Sequence, residues 1–512
     1  MNAKSSKVAA FERPKLGRVH PGAFTGAWLA LTAAAGGAVA GAALLTHSVW
    51  PGLVLGAILG GAALLVTWPL GPFLLLQAAA LSNHYTLEVG PVSVRAEHVA
   101  TIVMAGLLAI MLWHKRRRPV VTTAGWLALA WWGMNVLATM VNALDPRDSF
   151  RHIVRLGLMV MAYLVVVNLL VTPRAWRLAV AGFLVLGVLE SAYGLVTMAL
   201  WQLGYDLGLM VHRHIPIPIP YGTLQEGNIF GSHSASWAAT LMWLTLARWR
   251  SRWRPWLVAG LLITLAATLF SFGRGAWLAI GVCGVIAFIF FGRSLRGRWQ
   301  RLTGVGIGVP LVLVLVIGVA VLAPAETGSP VGALVGRLRT FGQLMSDATF
   351  AARLDDYGVA FADWLQHPWI GWGPGTFYQL HGMRRWEAAW ITNLILRTLQ
   401  ETGVFGLLFF LGFSGMVLAE AIAAARRMGA ATGGAATGGA ATEGTPLLSG
   451  VSEGEADRAL LLGLALGFTV LLLAYQATDG VWLAAFWIHA GLLTSGARAL
   501  RSVAARNVRR ET

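Results

Sequence analysis

Fourteen apolar runs, parted by short bursts of arginine, leave this 512-residue chain few ways to fold. They cover 22–46, 49–67, 69–82, 97–114, 122–143, 152–172, 175–203, 229–247, 255–271, 275–292, 303–323, 394–424, 459–476 and 480–498. Most reach the roughly 17–25 residues that a helix needs to cross a bilayer. The second and third runs are weak and read equally well as a re-entrant pair, so twelve to fourteen transmembrane helices are expected. The fold class is therefore an all-α polytopic membrane protein. Its 57% hydrophobic and 12% charged residues do not fit a soluble domain. Its 61 glycines suit helices that pack closely in lipid.

The formal charge of +17 does not point to nucleic acid, because the basic residues come in bursts between apolar runs. With the N-terminus in the cytoplasm and the runs alternating, 27 of the 39 Lys and Arg fall inside. The inner bursts include KRRR at 115–118, RWRSRWR at 248–254 and GRSLRGRWQR at 292–301. That bias follows the positive-inside rule. The expected domains are a basic cytoplasmic N-terminus (1–21), a transmembrane bundle (22–323) and one long outer loop (324–393). A further transmembrane helix (394–424), a flexible Gly/Ala/Thr-rich cytoplasmic linker (427–457), two more helices (459–498) and a basic cytoplasmic tail (499–512) follow. The first run reads as a membrane segment and not as a cleaved leader. Within the outer loop, Leu334, Leu338, Phe341 and Leu344 repeat at helical spacing, as do Leu354, Tyr357, Phe361 and Trp364. Both sets predict amphipathic helices on the outer face. The lone Cys283 excludes a disulfide framework and a cysteine metal site.

Arginines beside hydrocarbon are costly and mark candidate sites. Arg274 lies in FSFGRGAWLA between two apolar runs, flanked by Gly273 and Gly275. It fits either a residue capping a tight outer turn or a clamp for a diphosphate, whose oxygens match the guanidinium fork. Arg397 and Glu401 stand four apart in NLILRTLQETGVFG, on a polar stripe with Asn393 and Gln400. The pair fits an internal ion pair or an anion contact oriented by Glu401. Arg213 sits in an outer HRH cluster, which is a weak metal signal. Arg353 is another of the outer arginines. The turn GWGPGTF at 371–377 follows no strand and reads as a tight turn, not a nucleotide cradle. Walker, HExxH, CxxC and DxD motifs do not occur.

SFGRGAWLA, HPWIGWGPGTF and NLILRTLQETGVFGLLFFL, with EGNIFGSHSAS at 226–236, resemble the O-antigen ligase/polymerase superfamily in order and spacing over about 120–425. The resemblance implies a GT-C-like glycosyltransferase of lipopolysaccharide and cell-envelope biosynthesis in the bacterial cytoplasmic membrane. It would move a glycan from an undecaprenyl-diphosphate donor to a glycan or lipid-linked acceptor hydroxyl at the outer face, among membrane lipids and without metal or cofactor. By motif, Arg274, Arg213 and Arg397 become diphosphate-binding residues, with Asn393 and Arg353 in the substrate region. The histidine that ligases carry in the HN-x-x-L segment corresponds here to Thr392, which cannot act as a base near neutral pH. His381 is the nearest substitute, then Glu387; Glu401 is the third catalytic candidate. The missing histidine tilts the reading toward polymerase over ligase. A non-enzymatic lipid or polysaccharide exporter is the rival reading. It would need ionisable residues through the membrane depth, where Glu190 is the main exception to an apolar middle.

The charge asymmetry makes a direct prediction about sidedness. In a Cys283→Ala background, a membrane-impermeant thiol reagent added from outside should label a cysteine placed at Ser329 and not one at Thr432. The opposite labelling pattern would reverse the orientation and move Arg213, Arg274, Arg353 and Arg397 to the cytoplasmic face.

Overall fold

In the computed structural model the apolar runs become helices, because backbone in hydrocarbon must satisfy its N–H and C=O groups within its own segment. The structure describes residues 71–82, 86–89, 92–114, 116–205, 210–211, 218–224, 226–247, 252–294, 334, 348–382, 391–435 and 453–511. The runs expected at 22–46, 49–67 and 303–323 lie outside them. By internal contacts the chain divides into Met1–Pro72 and Phe73–Thr512.

The described elements open with α1 (Gly71–Leu81), a hairpin of β1 (Thr86–Val89) and β2 (Val92–Arg95), and α2 (Ala96–His114). Next come α3 (Thr123–Asn142), α4 (Pro146–Leu169) and α5 (Pro173–Gln202), then the short strands β3 (Met210–Val211) and β4 (Pro218–Ile219). The remainder is helical: α6 (Gly227–Ala247), α7 (Arg254–Phe270), α8 (Arg274–Ser294), α9 (Ala348–Gln366), α10 (Phe377–Leu380), α11 (Leu394–Ala435), α12 (Glu453–Ala474) and α13 (Ala484–Glu511). Both strand pairs are antiparallel, β1 with β2 from Thr86↔Arg95 to Val89↔Val92 and β3 with β4. Among the described residues, six helices are long and apolar enough to cross a membrane: α2, α3, α4, α5, α11 and α12; α7 and the apolar part of α8 are shorter. At 11 residues, α1 spans about 16 Å, well short of a hydrocarbon core.

Local chemistry moves several boundaries away from the apolar runs. α4 starts at Pro146, upstream of the run at 152, because Asp145 accepts from Arg147 N and Asp148 N and proline suits the first turn. The linker expected over 427–457 is helical at both ends: α11 continues through its alanines to Ala435, and α12 begins at Glu453. The tail after 499 continues α13 to Glu511. The amphipathic helix expected around 354–364 forms as α9, and its stripe divides, with Tyr357 and Trp364 half-buried. Leu354 and Phe361 are exposed, while Ala360 and Asp363 are buried against the protein. Leu334, from the other predicted stripe, packs with Met198, Ile219 and Phe272, and its partners 338, 341 and 344 lie outside the described residues.

α6 is the innermost helix, with α5, α7, α8 and α12 around it. Its Gly231, Ser232, Ser234 and Ser236 are buried small residues, the kind that let helix backbones approach in lipid. An aromatic core joins α3, α11, α12 and α13. Trp131 meets Phe410 at 5.5 Å and Trp487 at 5.6 Å, Trp487 meets Phe413 at 5.1 Å, and Phe486 meets Phe468 at 5.1 Å.

Helix ends sort into two groups by their contacts. In one, Asn142 Nδ2 donates to Gly371 O at 2.7 Å, Asp145 N donates to Gln379 Oε1, and Ala484 N donates to Glu97 Oε2. In the other, Asn168 bonds the Val120 backbone and Arg177 pairs with Asp457 at 2.6 Å and Glu453 at 2.9 Å. Arg498 donates to Val167 O and Arg501 pairs with Glu420 within that second group. Membership alternates along the chain, as a bundle threaded back and forth requires.

α11 breaks at Gly403, whose φ of 64° and ψ of −170° no side chain adopts without strain. A Cβ there would also lie 2.5 Å from Ile370 N. Gly403→Ala should cost about 2 kcal/mol or more and lower the melting temperature of detergent-purified protein. Gly415→Ala on the same helix, where a Cβ meets nothing within 4 Å, is the control and should leave it unchanged or raised.

Candidate functional site

The segment after α12, residues 475–483, gathers the polar residues of the first group of helix ends. Its backbone carbonyls accept from three directions. Tyr475 O takes Leu394 N at 2.9 Å, Gln476 O takes Asn393 Nδ2 at 3.2 Å, and Ala477 O takes Arg353 Nη1 at 3.0 Å. Tyr475 Oη also meets His233 Nε2 at 2.9 Å inside α6. Asp479 pairs with Arg397 Nη1, and its other carboxylate oxygen accepts from Val481 N at 3.2 Å. On the far flank Arg95 lies 4.4 Å over the Trp482 ring, and Glu97 caps α13 through Ala484 N. Segments far apart in sequence therefore meet on nine residues.

Arg397 is held between two acids. Its Nε donates to Glu401 Oε1 at 3.0 Å, and Asp479 takes Nη1; the three side chains are only 12%, 10% and 5% exposed. The internal ion pair is thus the alternative whose geometry is present. Glu401 Oε1 also accepts from Gly375 N at 3.0 Å, so this carboxylate braces the turn and is no unoccupied base. Asn393 serves as the cap of α11, accepting from Leu396 N at 2.9 Å.

The 371–377 turn docks into the break in α11. Trp372 N donates to Gln400 O at 3.0 Å and Gly373 N to Glu401 O at 2.8 Å. In return, Val404 N donates to Pro368 O at 2.9 Å. These bonds satisfy backbone groups that the kink would otherwise leave unpaired in a low-dielectric setting. The turn carries α10 and then His381, whose Nε2 lies 2.8 Å from Asp363 Oδ2 on α9. Thr392 is engaged elsewhere: its hydroxyl meets Tyr357 Oη at 3.1 Å.

Arg274 opens α8 from a strained turn. Phe272 adopts φ 55°, the left-handed region that a bulky side chain enters at a cost on the order of 1–2 kcal/mol. Three contacts hold it: Ser271 Oγ donates to Thr268 O at 2.7 Å, Gly273 N donates to Ser271 Oγ at 3.2 Å, and the Phe272 ring is buried. Close packing of α8 against the 475–483 segment requires Gly275, where a Cβ would stand 2.5 Å from that of Ala477. Arg274 itself is half-buried at the helix N-terminus, where backbone N–H groups and the helix dipole favour an anion.

Arg353, Asn393 and Arg397 thus border one segment, Gly275 beside Arg274 packs on it, and Glu401 and His381 join through Arg397 and the turn. Arg213 and Glu387 lie outside the described residues. Glu190, the acid expected in the membrane middle, spends both oxygens on Thr223: Oε1 accepts the backbone N–H at 2.6 Å and Oε2 the hydroxyl at 2.8 Å. Sequence reasoning missed Asp479, Asp363, Tyr357 and Glu97. Asp479 was the most legible of them, as a lone acid in AYQATDGVW opposite an arginine that needed a counter-charge.

Compared with known proteins, residues 259–411 match the family model described as O-antigen ligase. The match takes in the Arg274 turn, α9, the 371–377 turn and the first part of α11. No curated protein matches the chain.

The ion-paired centre predicts a specific asymmetry. Asp479→Ala should destabilise the purified protein by about 3 kcal/mol, because it leaves the buried guanidinium undercompensated. Replacing both partners, Asp479→Leu with Arg397→Met, should recover much of that loss in thermal unfolding. Equal destabilisation by the single and double changes would show that the pair is not coupled.

Proposed function

We propose that this chain, which belongs to the O-antigen ligase superfamily, is a membrane glycosyltransferase that extends a lipid-linked glycan at the outer face of the bacterial cytoplasmic membrane. The donor in this reading is a glycan on undecaprenyl diphosphate, and a polymerase is favoured over a ligase. One observation carries it. The arginine turn at Arg274 and the head of α11 close on residues 475–483, and the 371–377 turn is held to them through Glu401, around a helix N-terminus suited to an anion. The basic asymmetry supports assigning the second group of helix ends, and both termini, to the cytoplasm.

The chemistry follows from the charges. The donor diphosphate sits at the N-terminus of α8 under Arg274, with Arg213 from the outer loop as its second cation. Arg397 acts one step back: paired with Glu401 and Asp479, it fixes the walls of the site. The acceptor hydroxyl oxygen attacks the anomeric carbon, the bond to the diphosphate oxygen breaks, and undecaprenyl diphosphate leaves with the electron pair. Arg274 stabilises the charge that grows on that leaving group, so in this reading no divalent ion is required. His381 takes the hydroxyl proton. Thr392, engaged with Tyr357, supports polymerase over ligase because it cannot supply the base expected of a ligase.

The test is the glycan profile of a deletion strain and its complements. Loss of the protein should remove long chains and leave single repeats on their usual carrier; long chains stranded on undecaprenyl diphosphate would show a ligase instead. Complementation with Arg274→Ala should fail, with transfer reduced about a hundredfold in vitro and the protein still folded. Arg274→Lys should recover part of it, since an ammonium lacks the bidentate fork. Normal long chains with a stably expressed Arg274→Ala protein would exclude the clamp.

A further inference from the structure

We propose that Asp363 is the positioning residue for His381, forming with it a carboxylate–imidazole dyad that removes the acceptor proton. This rests on the glycosyltransferase reading above and adds to it the group that orients the base.

The geometry begins with burial. The Asp363 side chain is 7% exposed, on the face of α9 turned toward the protein, and a carboxylate there needs a partner. His381 Nε2 supplies it at 2.8 Å. Asp363 is itself fixed, because its backbone carbonyl accepts from Trp372 Nε1 at 2.8 Å, within the same turn that leads to His381. The Phe377 ring packs 5.0 Å from the imidazole and limits its rotation. Gly375, six residues before His381, is bonded to Glu401, so the ring is tied to the Arg397 centre through a short, braced piece of chain. From α4, Asp148 and His152 face this piece, with Asp148 Oδ2 accepting from Gln379 Nε2 at 3.4 Å.

The tautomer follows from the pair. A neutral imidazole that donates its Nε2–H to a carboxylate presents an unprotonated Nδ1. The His381 side chain is 27% exposed, so the ring reaches the surface of the described protein. Nδ1 takes the proton as the hydroxyl oxygen bonds to the anomeric carbon and the diphosphate leaves; the proton then passes to solvent. Asp363 stays ionised throughout and holds the imidazolium that forms. Among the described residues, the other acidic and hydroxyl candidates are committed: Glu401 to Arg397 and Gly375, Thr392 to Tyr357.

The experiment uses the full-length protein in proteoliposomes, supplied with the lipid-linked repeat extracted from the deletion strain. Asp363→Asn keeps the shape but stabilises the wrong tautomer, so kcat should fall at least about a hundredfold with KM little changed. His381→Ala should fall similarly, and the double variant no further, because the two act as one unit. Asp363→Glu should regain part of the rate. A purely structural Asp363 would instead lower the melting temperature and give losses that add to those of His381→Ala. If Asp363→Asn folds poorly, His381→Gln on the half-exposed ring decides, and wild-type turnover there overturns the dyad. An inactive Arg274→Ala beside fully active Asp363→Asn and His381→Ala would sink the dyad alone. Full activity in all three would sink the glycosyltransferase reading itself.

Discussion

One guanidinium between two carboxylates organises one end of the described helices. Burying Arg397 has a desolvation cost that a single acid in imperfect geometry would not offset. Two acids from different places meet it, Glu401 one helical turn along and Asp479 from beyond α12, 82 residues away in sequence. Because Glu401 also holds Gly375 N and Asp479 holds Val481 N, the charge centre fixes two turns at once. The 475–483 segment then has its carbonyls set to receive Leu394, Asn393 and Arg353.

Against that rigid centre, the Arg274 turn is a second device of a different kind. Its left-handed Phe272 is kept in place by the Ser271 hydroxyl and by burial among Met198, Ile219 and Leu334. Strain of this sort persists only where surrounding contacts over-determine the backbone. Here it leaves Gly273 and Gly275 free to lie against α6 and Ala477 while the arginine opens the next helix.

The helices were legible because hydrocarbon leaves a chain no other choice, and the turns at Arg274 and 371–377 were legible because glycine clusters interrupt apolar runs. Other features were hidden for physical reasons. α4 begins in polar sequence, where a cap and a proline decide and hydrophobicity does not. Gly403 is one of 61 glycines, and nothing local separates a kink from close packing. The stripe on α9 divides, since Leu354 and Phe361 are exposed while Tyr357, with Arg353 and Asp363, is engaged with the protein. Asp363 was hidden because an acid on the polar side of an amphipathic helix reads as solvated. Arg397 and Glu401 stood out at helical spacing, whereas Asp479 is joined to them only by the fold.

The break at Gly403 makes α11 electrically two helices. Each half carries its own macrodipole, so a negative pole forms at Gln400 and Glu401 and a positive pole at Val404 and Phe405, all within one turn of chain. The 368–373 backbone answers both, with N–H groups toward the first pole and carbonyls toward the second. In effect a stretch of loop is spliced into the helix as its missing turn. The connecting loop and the helix are thereby one electrostatic unit, so displacement of the loop would expose two opposed half-charges at the break.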